Sequence, residues 1–302
     1  MVIPSLWTAL SASARGASHE RNDQKNQDAA RVRPPRVGSD FLLLAVSDGH
    51  GNTRSFRSDR GSALAAEAAL GVLANWIRKL GPRPSFSRVR RQARQWLPKA
   101  MIESWKSAVR ADLATHPFTP FDFAAWPDKP PVIKPGEDLP VTAYLAYGAT
   151  LLTVAITPCF VLYIQLGDGD IITVHADGRV TRPLPRHHEL RANQTISLCS
   201  QNAWREFQVV VKPVGSVAPA LVMLSTDGYA NCFDNDNDFF QVGADLLAYL
   251  REQGVGYVDG QLAEWLRQSS HDGSGDDITV GLAARRSALR PHPPAPLAID
   301  MP

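Results

Sequence analysis

Aspartates recur in this sequence where apolar runs stop. The run LLAVSDGHG (Leu43 to Gly51) ends in Asp48-Gly49-His50-Gly51. VLYIQLG ends in Asp168-Gly169-Asp170, and LVMLST ends in Asp227-Gly228. ITVGLAA starts directly after Asp276-Asp277, and Asn26-Gln27-Asp28 opens another candidate strand. Any one Asp-Gly pair is ordinary tight-turn chemistry. Several together point elsewhere. Carboxylates gathered at one place repel unless cations neutralise them. An all-oxygen donor set without a Cys or His cluster selects Mg2+ or Mn2+ over zinc. Two such ions about 3.5–4 Å apart stabilise both the entering and the departing oxygen of an in-line phosphoryl displacement. A glycine after a bridging acid lets its own carbonyl approach an ion closely. His50, two residues past Asp48, has the near-neutral imidazole suited to proton transfer.

Strands and helices must carry these residues to a common point. WTALSASARGASH (Trp7 to His19) reads as an opening strand and turn, and FLLLAVS (Phe41 to Ser47) as a strand buried on both faces. GSALAAEAALGVLANWIRKLG reads as a helix: Leu64, Ala68, Val72, Trp76 and Leu80 recur every four residues, with Ala65, Ala69, Leu73 and Ile77 beside them. Gly81-Pro82 stops it. A basic helical region runs from about Ser85 to His116, divided or kinked at Pro98. Residues 117–140, rich in Pro and aromatics, read as an ordered loop or flap, with Trp126 as the candidate for an exposed contact there. GATLLTVAIT, CFVLYIQLG, DIITVHADGRV, REFQVVVK and ALVMLSTDG are strand signals, with a hairpin turn at Asp177-Gly178. Helical patterns return at about Asp238 to Glu252 and Gly260 to Ser269, and DDITVGLAA closes the set. The fold class is α+β, helix pairs packed on sheets. Residues 1–286 are expected to form one domain, and 287–302 a Pro-rich tail of disordered composition.

Bulk properties exclude several functions. Thirty-two basic against thirty acidic residues give a formal charge of +2, too balanced for a nucleic-acid or anionic-membrane binder. No apolar run is long enough to cross a bilayer. Val2 to Leu10 lack a preceding Lys or Arg, so no signal peptide is expected. Cys159, Cys199 and Cys232 are odd in number and form no CxxC pair, which favours reduced thiols and a cytoplasmic protein.

Taken in order, NQDAA (26–30), AVSDGHG (45–51), GATL (148–151), LGDGDI (166–171), LSTDGY (224–229) and GDDITV (275–280) resemble the PPM family, the PP2C-type metal-dependent Ser/Thr protein phosphatases. RGASH, LGDGDI and ANQTISL (192–198) are more similar to its bacterial branch. The resemblance implies a central antiparallel β-sandwich flanked by pairs of antiparallel helices. It also implies two Mn2+ or Mg2+ ions, bridged by Asp48, with the Gly49 carbonyl on one and Asp227 and Asp276 completing the other. Asp28 would act on the second ion directly or through a water, and Asp168, alone or with Asp227, would hold a third, looser ion. A metal-bridged hydroxide would attack phosphoserine or phosphothreonine, and His50 would protonate the departing alcohol. The implied partner is a phosphorylated protein, such as a Ser/Thr kinase or its target.

The sequence departs from that family in places. Asp23 stands where most members carry a phosphate-binding Arg, leaving Arg21, Lys25 and His19 as candidate substitutes. Asp170 replaces the end of a more familiar Gly-Asp-Ser-Arg. Asp277 replaces a usual Asn, either as an acceptor behind the ligands or as a turn residue. The missing Arg motivates a second reading, a catalytically weak binding or regulatory module. A metal-dependent nuclease uses the same two-ion physics but lacks a basic stripe here. His187-His188, Trp76 and the basic run RVRRQAR (88–94) have plainer roles as solvated loop, helix core and solvated helix face, although the run also suits an acidic partner.

Overall fold

Apolar runs with both faces covered fold here as strands, and their alternation divides the side chains between different layers of core. The computed structural model describes residues 6–35, 40–124, 126, 130–133, 137–185, 196–215 and 218–290. In chain order its strands are β1 (Trp7–Ala14), β2 (Ala29–Arg33), β3 (Leu42–Ser47), β4 (Leu151–Ile156), β5 (Phe160–Leu166), β6 (Asp170–Val174), β7 (Val180–Thr181), β8 (Gln208–Pro213), β9 (Leu221–Ser225) and β10 (Ile278–Arg285). They form two antiparallel five-stranded sheets, ordered β2-β3-β4-β5-β8 and β1-β10-β9-β6-β7. The helices are α1 (Ala17–Arg21), α2 (Ser58–Leu80), α3 (Phe86–Gln95), α4 (Leu97–Thr115), α5 (Val141–Leu145), α6 (Asp227–Ala230), α7 (Asp236–Glu252) and α8 (Val255–Asp272).

Four layers result. Leu43 and Ala45 of β3, with Leu151 and Ala155 of β4, pack under α2, α3 and α4. Their neighbours Leu42, Leu44, Val46, Leu152, Val154 and Ile156 face the second sheet, meeting Ile171, Val222, Leu224 and Ala283. On the far side Ile278, Val280 and Leu282 of β10 pack under α7 and α8 with Leu246, Leu250, Val258 and Leu262. This is the expected α+β sandwich. Among the described residues no helix is long and apolar enough to cross a membrane, and all three cysteines are unpaired.

Two sequence expectations need correcting. Helix α2 starts at Ser58, and its buried face is rotated from the bulky stripe. Leu64, Ala68, Val72 and Ile77 are only half-buried, whereas Ala65, Ala66, Ala69, Leu70, Leu73 and Ala74 are fully covered beside Trp76. The cause is a close approach near the helix start. Gly61 lies so near the Tyr147 backbone that a Cβ would overlap the Tyr147 carbonyl, and Trp105 Nε1 donates to the Gly61 carbonyl at 3.1 Å. Backbone contact at Gly61 therefore sets which side faces inward. Trp126, expected to be exposed, is only 8% accessible. It packs edge-on against Phe56 and Phe123 at 5.6 and 5.5 Å, and Phe118 completes the cluster 5.5 Å from Phe56. Arg57 stacks over Phe118 and donates to the carbonyls of His116 and Pro117 and to Asp122. The cluster fastens residues 117–124 and Trp126 to the segment following His50.

The glycines of α2 offer a paired test. Gly61→Ala should destabilise severely or abolish folding, because the obstacle is backbone. Gly71→Ala, with nothing within 4 Å of its added Cβ, should stabilise by about 0.5–1 kcal/mol through helix propensity. Urea denaturation of both variants checks the pair; equal effects would contradict the assigned helix face.

Candidate active site

Antiparallel strands alternate direction, so the end of β3 and the start of β2 lie together, as do the end of β9 and the start of β10. The sandwich thus collects at one end Asp28 before β2, Asp48 after β3, Asp168 between β5 and β6, Asp227 after β9 and Asp276 before β10. Asp48, His50, Asp168, Asp227 and Asp276 line a single cavity of about 960 Å3 with Gly51, Arg54, Thr150, Ser197, Cys199 and Gln201 among its walls.

Short-range bonds fix Asp48, Asp28 and Asp227. Asp48 N–H reaches Thr150 Oγ1 at 3.0 Å, Thr150 N–H reaches the Asp48 carbonyl at 2.8 Å, and His50 N–H reaches the Gly148 carbonyl at 3.1 Å. Gly49 bridges Ala149 in antiparallel fashion. A Cβ at Gly49 would run into the carbonyls of Gln27 and Ser58, so packing alone demands glycine there. Thr226 Oγ1 donates to Asp28 Oδ2 at 2.8 Å while accepting from Thr279 N–H at 2.9 Å. One hydroxyl thereby links β2, β9 and β10. Asp227 opens α6 and accepts from Asn231 Nδ2 at 3.2 Å.

Asp277 holds the backbone behind the acids. Its two oxygens accept from Gly16 N–H at 2.6 Å and Gln27 N–H at 2.7 Å. His19 Nδ1 lies 2.9 Å from Asp277 Oδ2 but makes no aligned hydrogen bond to it.

The electrostatics are unfavourable as the carboxylates stand. Burial pushes the pKa of Asp28 well above the ordinary range, with the charge of Asp277 adding to it despite the Thr226 bond. Burial does the same for Asp48, reinforced by the charges of Asp28 and Asp227, and Asp48 and Asp227 are within hydrogen-bonding reach of each other. Burial also raises Asp227 and Asp276. His50 is lowered by burial, with Asp168 pulling the other way. Among the described residues no three His, Cys, Asp or Glu groups close around one point as a cation cage. The donor set is nonetheless that of a hard divalent cation: several carboxylates, raised in pKa by burial and by one another, with no thiolate. These residues fit such an ion, whose charge would offset the repulsion.

The basic candidates of the first motif lie elsewhere. Arg21 is exposed on α1, and Lys25 is 82% exposed, 3.2 Å from Asp59. Neither lines the cavity; His19 sits behind it, close enough for its charge to act on Asp276. Among the described residues Arg54 lines the cavity wall, a residue that spacing did not single out. Asp170 turns away from the site, its carboxylate 2.5 Å from Arg182, which also pairs with Asp236. His187-His188 lie outside the described residues. Thr226, which holds Asp28, went unassigned although it stands beside Asp227 in LSTDGY.

The family model described as Protein phosphatase 2C matches residues 15–267. The chain belongs to the protein phosphatase 2C family. The matched span contains Asp28, Asp48, His50, Asp168 and Asp227, while Asp276 lies just beyond it. Among solved structures, the fold is similar to the serine/threonine phosphatase Stp1 from Staphylococcus aureus, at 14% identity, TM-score 0.58, covering 94% of this chain and 97% of that one. It is similar to the Mycobacterium tuberculosis serine/threonine phosphatase PstP/Ppp at 15% identity, TM-score 0.52, covering 92% and 98%. A PstP catalytic domain in complex with two manganese ions is 17% identical, TM-score 0.52, covering 92% and 97%. No curated protein sequence matches the chain.

The buried acids predict an inverted acid response of the metal-free protein. A carboxyl with a raised folded pKa holds its proton in the native state after the unfolded chain has released it. The contribution of these acids to stability is therefore greatest below the unfolded value near 4 and is lost as pH rises through the raised folded values. In EDTA, the thermal midpoint advantage of Asp48→Asn over the parent protein should grow as pH rises above about 4. A gap that stays constant or shrinks would contradict the buried, mutually repelling arrangement.

Proposed function

We propose that this chain hydrolyses phosphoserine and phosphothreonine esters on proteins in a reaction dependent on Mn2+ or Mg2+. The observation that carries the reading is the gathering of aspartates from both sheets around one cavity that also holds His50. Asp28, Asp48, Asp168, Asp227, Asp276 and the Gly49 carbonyl are the groups that would hold two ions, Asp168 serving a third. Bound there, divalent cations supply Lewis acidity that brings the pKa of a coordinated water toward neutrality and screens phosphoryl charge.

The chain's own residues do the remaining work. Thr226 and Asn231 keep Asp28 and Asp227 oriented. His50, fixed through its backbone to Gly148, faces the departing alcohol. Burial favours its neutral ring, and the carboxylate of Asp168 restores part of its proton affinity. Arg54 takes the phosphate-contact role that Arg21 and Lys25 are too far out to fill. A catalytically weak binding module remains the second reading, favoured by those two absences from the cavity wall, and Arg54 answers that objection.

Turnover of p-nitrophenyl phosphate and of phosphothreonine peptides should require Mn2+ or Mg2+ and disappear in Asp48→Asn and Asp227→Asn. Calorimetry should show Mn2+ uptake lost with it. Tight uptake without turnover would favour the binding module. His50→Ala should lower kcat by about 10^2–10^4 while retaining Mn2+ uptake. Arg54→Ala should raise the phosphopeptide KM about tenfold, or about 1.4 kcal/mol. Arg21→Ala and Lys25→Ala should stay near the parent value; the reverse ranking would return the phosphate contact to the first motif.

A further inference from the structure

Helix α3 is cationic in a way that packing does not require. From Arg78 to Lys99 the chain carries eight basic residues and no acid, so the remainder holds 24 basic against 30 acidic residues. Only Val89 and Ala93 of α3 are buried. Arg88, Arg90, Arg91 and Arg94 are exposed. Among the described residues none of them has a carboxylate partner. Within the helix, Arg88/Arg91 and Arg91/Arg94 stand three residues apart and Arg90/Arg94 four. Each such like-charge pair disfavours the exposed helix. Arg88 also lies in the first turn, where the helix dipole disfavours a cation. The two ends present aromatic surface, Phe86 at 37% and Trp96 at 47% exposure.

This face continues toward the active-site cavity. Cys199, Ser200 and Gln201 line the cavity, and the 3-10 turn Ala203–Arg205 follows at once. Two cations lie over its Trp204 ring, Lys99 Nζ at 4.2 Å and Arg205 Cζ at 4.9 Å from the centroid. Lys99 belongs to the first turn of α4, directly after α3.

We infer that the α3 arginines, with the Lys99–Trp204–Arg205 band, form a docking surface for an acidic extended protein segment. On the reading of the cavity given above, that segment belongs to the phosphoprotein substrate, outside the phosphoresidue itself. Charge complementarity defines the occupant. The ten residues of α3 span roughly 15 Å, which about five extended acidic residues match. A long polyanion or a continuous anionic surface would overrun the patch and meet the net-negative remainder of the molecule, whereas a short acidic segment covers the patch alone. The apolar side of α3 is occupied by the protein core, leaving no amphipathic face for a bilayer.

The test uses the full chain and two probes. A fluorescein-labelled peptide of ten Asp and Glu residues, unphosphorylated, should bind by fluorescence anisotropy and weaken about tenfold between roughly 50 and 200 mM salt. The combined variant Arg88→Gln, Arg90→Gln, Arg91→Gln and Arg94→Gln should lose at least about tenfold in affinity, and the matching Arg→Lys set should keep most of it. For the second probe, adding an acidic extension to a phosphothreonine peptide should lower its KM in the parent protein and not in the Gln variant. Turnover of p-nitrophenyl phosphate reports that the cavity is intact. Failure of the labelled peptide to bind, or undiminished binding by the Gln variant, overturns the proposal. So does tighter binding of anionic vesicles or duplex DNA at the same salt. If the parent protein turns over no substrate, the functional reading falls, while the anisotropy arm still decides the docking surface.

Discussion

Repulsion among buried carboxylates is the constraint around which this molecule is arranged. Asp28, Asp48, Asp227 and Asp276 are each pushed toward the protonated form by burial, and neighbouring acids add to the effect. An interior built for stability alone would not gather them, since each desolvated charge must be offset locally. Hydroxyl and amide donors from Thr226 and Asn231 offset a part. The rest of the repulsion is what a bound cation would offset, on the function proposed above.

The sandwich supplies the stiffness that such an arrangement needs. Both sheets are covered on both faces, so each aspartate hangs from a strand end whose register is fixed by two cores. Asp277 adds a clamp of another sort, binding the peptide groups after β1 and before β2 to the start of β10. Segments about 250 residues apart in the chain thus share one side chain. The first motif and the last are mechanically one unit, although they sit at opposite ends of the sequence.

Much of this was legible from residue order. Strand ends could be read because apolar runs and Asp-Gly pairs mark them, and antiparallel topology then brings alternate ends together. What stayed hidden depended on three-dimensional context. Arg54, Arg57 and Arg60 look equivalent in GNTRSFRSDR. The fold sends Arg57 to Asp122 and Tyr147 and Arg60 to Asp112, while Arg54 lines the cavity. Trp126 looked exposed because it stands in a Pro-rich loop, yet Phe56 from a distant segment covers it together with Phe123 three residues before it. The α2 stripe misled because side-chain bulk is a poor guide where a glycine permits backbone contact.

Asp168 sits on the connection that leaves β5 in one sheet and enters β6 in the other. The remaining acids of the cavity are likewise split between the sheets. Any sliding of one sheet across its mate would pull these oxygens out of alignment, so a cation held among them would rivet the layers together. Filling the cavity would for that reason also stiffen the sandwich against shear.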